Sequence, residues 1–573
     1  MNNIAAITKG PLGEMYERAI DNLIYKIDPQ LHADAYKGIH IGGFAESEFA
    51  GKYIDTCVRI ACTDNNRARA AKALENARVV IKSIVTHQRK DGYIGGLGEG
   101  CEKHGFSVWN QSFTMIGLCA FAESFPDDSL APAAIESARR IAQYNAALFG
   151  SDRSILDGGN NGSQHLSLLL GLVRLARLAP EPDIMRFILH IVDCIKTSDN
   201  NFFKFNSILD LRSKKGIENF VILIGILEYG ELFGDREALS ACVKYWDELA
   251  ASQIRPNGNG TLHEVWTEGG NEPRFLGLGV NPDENCVAVG WIELSLALYY
   301  RLGDKKYIDA VERSVFNHLL GALSNDGSDF AYYQPNFGHR ITKTDESMYK
   351  CCRYRGYSAV SMLPYMVFIR RSDTIETLLY TNSDYEDDDI RLVMTSGYPY
   401  TESAAIDVIN KTRKVRKIRI RVPDRIGLTV FHDGRSVGMN HNGFIDISLN
   451  ELPCHIVLNL SFELKAKLIP VVIDGQKYFY GEYGNILLAA ETDCPKPDIP
   501  SENTKSKEFK TAISDYYFDK LSSLSINSNA VLTFSGCDDC HISFMADELE
   551  FKDFASAGRR EGRAFTVYVR CQD

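Results

Sequence analysis

The hydrophobic period of this chain changes once, near residue 372, and the change separates what can fold before it from what can fold after it. From about residue 45 to 370, apolar residues recur at three-to-four spacing between short Gly, Pro, Asn or Asp breaks. Examples are "RARAAKALENARVVIKSIVTHQ" (Arg67 to Gln88) and "SQHLSLLLGLVRLARL" (Ser163 to Leu178). That spacing puts one apolar stripe on a helix. Beyond residue 372 the alternation is two, as in "KIRIRVPD", "FIDISLNE" and "HIVLNLSFELKA", each bounded by turn residues. Period two suits strands with one buried face.

Within the helical half a second rhythm recurs: an apolar helix, a Gly-Asp break, then a more charged helix. It is seen in "LEYGELFGDREALSACVKYWDEL" and again in "LALYYRLGDKKYIDAVERSVFNHL". A helix apolar all round must be buried, whereas its charged partner can face water. Stacked pairs of this kind predict a double-layered toroid with the apolar helices inside, an (α/α)6 barrel over residues 1–370. Residues 371–573 are then a β-sandwich region of one or two units, with the polar run Cys494 to Lys510 as an exposed insertion. The fold class expected is α+β, multidomain.

Composition excludes several functions. The 573 residues are 45% hydrophobic and 24% charged, ordinary globular usage with material for large cores. A net charge of −12 without long blocks of one sign argues against nucleic acid or an anionic membrane as main partner. The first residues lack a basic start followed by an apolar h-region, and nothing approaches eighteen uncharged apolar residues, so a cytoplasmic protein is expected. Whether the sandwich makes a homodimer is open. The 14 cysteines mostly sit in apolar helical contexts, such as Cys119, Cys194 and Cys242, and read as reduced core thiols. "GLGEG" from Gly96 lacks the strand-to-helix context of a phosphate loop, and "CDDC" from Cys537 lacks the context of a redox motif.

Four residues stand apart: Glu284 and Cys286 in "NPDENCVAVG", and the adjacent Cys351 and Cys352 in "YKCCRY". One carboxylate and three thiolates form a four-coordinate set suited to Zn2+. The intervening helix pair could return the two ends to one place. The alternative is that Cys351 and Cys352 open a buried helix and are neighbours by chance; spacing alone weighs the two readings equally.

The order and context of these residues resemble the glycoside hydrolase family 127 and 146 group of β-L-arabinofuranosidases. The words that carry the resemblance include "EFAGKYIDTCVRI" from Glu48, "HQRKDGYIGG" from His87, the segment from Glu284 to Asn336, the Cys351–Cys352 pair, and "GEYGNILLAAE" from Gly481. The resemblance implies a retaining exo-glycosidase acting on terminal β-L-arabinofuranosides of a small glycoside or oligosaccharide. Cys351 would be the nucleophile, held as thiolate by zinc on Glu284, Cys286, Cys351 and Cys352. Glu272 in "NEPRF" would be the acid/base, with Glu268 as runner-up. His165, Trp109, Asn110, Gln111, His263 and Glu268 would contact substrate. Gln111 and Ser112 stand where the family usually carries His, a departure that leaves room for a different sugar. A rival reading keeps zinc as a structural staple in a non-catalytic carbohydrate-binding relative.

Overall fold

The computed structural model describes residues 5–37, 46–95, 97, 100–268, 281–343, 350–450, 452–473, 475–494, 507–537 and 541–572. Among these, six helices close a ring: Glu46–Thr63, Gly105–Ser124, Leu168–Leu178, Gly216–Phe233, Asn285–Leu302 and Cys351–Met362, each packed on the next and the last on the first. Arg67–His87, Ala131–Phe149, Pro182–Lys196, Arg236–Ser252 and Lys305–Arg313 each cover the inner helix before them, and Gly10–Asp21 covers Cys351–Met362. This is the (α/α)6 barrel expected from the repeat.

The Gly-Asp break explains the rhythm. Gly234 and Gly303 end their helices at φ 71° and 68°, the left-handed conformation glycine adopts without strain. Asp235 and Asp304 follow, and their carboxylates accept from the backbone N–H groups of Glu237 and Lys306 to start the outer helices. Inner helices are buried along most of their length; every residue from Gly216 to Tyr229 is buried. Glu46–Thr63 and Gly105–Ser124 approach backbone to backbone, because a Cβ on Gly51 would lie 2.3 Å from the Phe113 carbonyl oxygen.

Among the described residues the β half forms three sheets. One runs Ala6–Lys9, Asn382–Glu386, Ile390–Ser396, Ser403–Asn410, His455–Glu463, Gly427–His432, Arg435–Ser436. His455–Glu463 alternates strictly between exposed and buried residues, so Ile456, Leu458, Leu460 and Phe462 face one core. The second runs Met439–His441, Phe444–Ser448, Lys417–Arg421, Thr374–Thr377, Phe368–Arg371, with Ile375, Ile418 and Ile447 in one cross-strand row. A ten-stranded sheet holds the remaining strands, including Phe337–Gly338, which pairs with Arg563–Thr566.

Two features differ from the sequence pattern. The first described strand, Ala6–Lys9, pairs with Asn382–Glu386, so it belongs to a sheet of the C-terminal half. Helix Lys507–Leu521 stands at the end of the polar run read as an insertion; Tyr517 and Leu521, one turn apart, bury against Phe337. Of that insertion, residues 495–506 lie outside the described residues. No helix among the described residues is long and apolar enough to cross a membrane.

Candidate active site

The ring brings its helix starts together at one end. Glu284 occupies the N-cap position of Asn285–Leu302 without a side-chain capping bond, and Cys286 lies in that first turn; Cys351 and Cys352 open Cys351–Met362, the neighbouring inner helix. Their four donor atoms lie within 4.8 Å of one another. The Cys286 sulfur is 3.7 Å from Cys351 Sγ and 3.2 Å from Cys352 Sγ, which in turn is 3.8 Å from Glu284 Oε1. A tetrahedron with Zn–S bonds of about 2.3 Å has edges of roughly 3.8 Å. Glu284 is 1% exposed and its Oε2 has no hydrogen-bond partner. A buried, unpartnered carboxylate oxygen beside three sulfurs fits a cation, so this cluster can hold a metal ion such as zinc.

The segments that present these candidate ligands are held by buried hydrogen bonds. Asp283, fully buried, pairs with Arg255 and accepts from Asn257 Nδ2 at 2.7 Å and Asn336 Nδ2 at 2.8 Å. Asn259 Nδ2 donates to the Glu284 carbonyl at 2.9 Å. Asn285 Nδ2 donates to the Cys352 carbonyl at 2.9 Å, tying one ligand segment to the other. Such outer contacts orient metal ligands.

Cys351 differs from its neighbours. It is partly exposed where Glu284, Cys286 and Cys352 are buried. Hydrogen bonding with Cys286 and Cys352 draws its sulfur below the ordinary thiol range, whereas burial pushes Cys286 and Cys352 up. The Tyr332 hydroxyl lies 3.3 Å from Cys351 Sγ. The sulfur whose ionisation the cluster favours is therefore the one at the position that opens outward.

It opens into a cavity of about 610 Å³ whose lining includes Cys351, Cys286, Glu284, Trp109, Tyr332 and Glu218. That volume suits a small-molecule site. Of the residues predicted to touch substrate, Trp109 lines it. Asn110 and Gln111 do not: Asn110 Oδ1 accepts the Glu48 backbone N–H at 3.1 Å, and Gln111 is buried against Asn145 at 3.1 Å. His165 lies behind the wall against Phe149 with Nε2 3.1 Å from the Lys103 carbonyl, while the preceding Gln164 reaches the cavity. His263 and Glu268 are exposed and lie outside the described lining. Glu272 falls outside the described residues.

The cavity also contains charged groups that pattern alone does not single out, Glu48 and Lys52 on Glu46–Thr63 and Lys215 and Glu218 at the start of Gly216–Phe233, together with Glu264 of the acid-loop word "HEVWTEGGNEPRF", which offers Glu264, Glu268 and Glu272 as acids. The available signal is a charged residue within an otherwise apolar inner helix. Glu218 accepts from Asn160 Nδ2 at 2.6 Å and from the Ser163 hydroxyl. Burial among these neutral donors pushes its carboxyl up to about 7 from 4.5. Because the folded state binds this proton more tightly, the stabilisation is complete below the unfolded value and is lost as pH rises through about 7. The expected loss is roughly 3 kcal/mol between pH 5 and 8. Denaturation midpoints of the metal-loaded protein across that range should fall less steeply in Glu218→Gln; an equal slope would remove Glu218 as the source.

Comparison with known proteins agrees with this architecture. The family model described as beta-L-arabinofuranosidase, GH127 catalytic domain, matches residues 209–364, the stretch that carries Glu284, Cys286, Cys351 and Cys352. A search of the curated proteins finds no match. Among solved structures, a GH127 beta-L-arabinofuranosidase from Geobacillus stearothermophilus T6 superposes with a TM-score of 0.77 at 13% identity, covering 99% of this chain and 100% of its own. A GH127 beta-arabinofuranosidase gives 0.77 at 14% identity, covering 100% and 98%. A chain described as a glycoside hydrolase gives 0.72 at 14% identity, covering 100% and 97%. At these identities the superpositions establish the fold, and the domain match adds the class: the chain is a glycoside hydrolase. The resemblance read from its sequence is borne out by the domain match over residues 209–364 and by the superpositions on GH127 structures.

Proposed function

We propose that this chain is a retaining exo-glycosidase that releases terminal β-L-arabinofuranose from small glycosides or oligosaccharides, with Cys351 as nucleophile. The observation that carries the reading is the position of Cys351: the outward member of a buried carboxylate-and-thiol cluster on the floor of a sugar-sized cavity. A closed structural metal site would leave no ligand facing a cavity.

Glu284, Cys286, Cys351 and Cys352 would hold the zinc. When bound, the ion keeps the sulfurs deprotonated at neutral pH and offsets their charge. Trp109 offers a ring face for sugar C–H groups, and Gln164, Asn160 and Glu218 offer donors and acceptors for hydroxyls. In the first step Cys351 Sγ forms a bond to the anomeric carbon as the glycosidic C–O bond breaks, and the leaving oxygen takes a proton from Glu272. In the second step Glu272 takes a proton from water, whose oxygen bonds the anomeric carbon as the S–C bond breaks. Two displacements restore the starting configuration. Glu272 is assigned through the word "NEPRF", and the exposed Glu268 is the weaker choice.

The test is hydrolysis of a panel of nitrophenyl furanosides and pyranosides by the reduced, zinc-loaded protein beside Glu272→Gln. Release from the β-L-arabinofuranoside, lowered roughly 10²–10⁴-fold in the variant, is expected. Release from another sugar alone would retire the arabinose assignment and keep the mechanism. No release from any of them, with zinc bound at one per chain, would favour the structural-staple reading.

A further inference from the structure

The donor set carries more charge than one dication removes. With zinc bound, Glu284 and three deprotonated cysteines would carry four negative charges and the dication would offset two, in a cluster of which Glu284, Cys286 and Cys352 are buried. Buried charge is tolerated when other charges compensate it. Three cations surround the cluster, and the proposed mechanism uses none of them. Lys52, with its side chain 2% exposed, pairs with Glu48 on Glu46–Thr63. Lys215, just before Gly216–Phe233, pairs with Glu264, whose other oxygen accepts from Tyr333 Oη at 2.5 Å. Arg355, one turn into Cys351–Met362, makes a two-pronged pair with Glu293 at 2.8 and 2.6 Å.

Lys52 and Lys215 line the same cavity as Glu284, Cys286 and Cys351, and Arg355 lies one turn after Cys351 on the same helix; both lysines act electrostatically on Glu284. Of the three carboxylates, Glu48 also faces Cys351. Lys52, Lys215 and Arg355 lie on, or at the entry of, three different inner helices. Cys286 and Cys351 further sit in the first turns of their helices, ends that carry about half a positive charge each.

We propose that Lys52, Lys215 and Arg355 form a charge-compensating ring that lets three thiolates and a carboxylate share one dication, and so sets how tightly the ion is held. They are positioning residues that act through the ligands, and the inference rests on the metal-site reading above. The test is competition for Zn2+ with a chromophoric chelator at one pH, using the full chain as wild type, Lys52→Met, Lys215→Met and the matching Lys→Arg variants. Apparent affinity is expected to fall about 10–100-fold in each Met variant and to return within a few-fold of wild type in the Arg variants. A merely structural role would lower melting temperatures, Arg variants included, without moving the competition. Affinities of both Met variants within twofold of wild type would overturn the proposal. Should Lys52→Met not fold, Lys215→Met decides alone, because that side chain is 18% exposed and more tolerant. A wild-type protein that holds no zinc would instead overturn the metal-site reading, and the ring with it.

Discussion

Cys351→Ala is expected to lower kcat by at least about 10⁴-fold on any substrate the wild type cleaves, because removing a nucleophile that forms a covalent intermediate leaves only binding and charge stabilisation. The variant also removes one of four candidate ligands, so weaker metal binding could mimic the effect. Cys352→Ala separates the two causes. It removes a ligand from the same helix turn, but Cys352 is fully buried and does not line the cavity. Loss of metal alone would make the two variants equally poor, and excess zinc would restore both. Loss of the nucleophile leaves Cys351→Ala inactive at saturating zinc while Cys352→Ala regains part of its rate. Alkylation by a small haloacetamide gives a second reading: Cys351 should be labelled first, and sugar should protect it. Turnover by Cys351→Ala at saturating zinc within tenfold of wild type would end its assignment as nucleophile.

Much of the scaffold was legible because its signals are local. The Gly-Asp break contains both a helix stop and a helix start, and it recurs where Gly234–Asp235 and Gly303–Asp304 turn the chain. The four-residue cluster was legible only in part: spacing alone left Cys351 and Cys352 evenly between a metal site and chance neighbours, and the family resemblance tipped the reading. Which neighbours face the cavity was less legible, since that depends on helix phase. Residues advance 100° each, so Trp109 and Gln111 point about 200° apart. Trp109 faces the cavity and Gln111 meets Asn145 behind it. A single step along the chain also takes Gln164 in the cavity to His165 behind its wall. Glu48, Lys52 and Glu218 were hidden for a different reason. A charge in an inner helix points either into the ring or into the next layer, and only the closed ring decides. The four-residue strand Ala6–Lys9 is shorter than any pattern can identify, and its partner lies over 370 residues away.

Arg421→Met is expected to be the most destabilising single change outside the candidate site, at about 3–5 kcal/mol. Arg421 is fully buried on Lys417–Arg421, where the sandwich meets the outer helix Lys305–Arg313. Its guanidinium pairs with Glu312, contacts Asp309 Oδ1 at 2.5 Å, and donates to the Leu378 carbonyl at 2.7 Å. Glu312, also fully buried, accepts from Tyr398 Oη and Asn485 Nδ2 at 2.6 Å. Removing the arginine leaves this carboxylate without its cation in a site water does not reach. Denaturant unfolding should show the loss in the transition that separates the β half from the barrel, so the two halves should unfold less cooperatively. A double-mutant cycle makes the claim specific. Arg421→Met with Glu312→Met should be less damaging than Arg421→Met alone, because removing both charges relieves the desolvation that one alone imposes. Additive losses would mean that the pair is not coupled. In that case the barrel and the sandwich are joined by apolar packing, with the buried charges incidental to it.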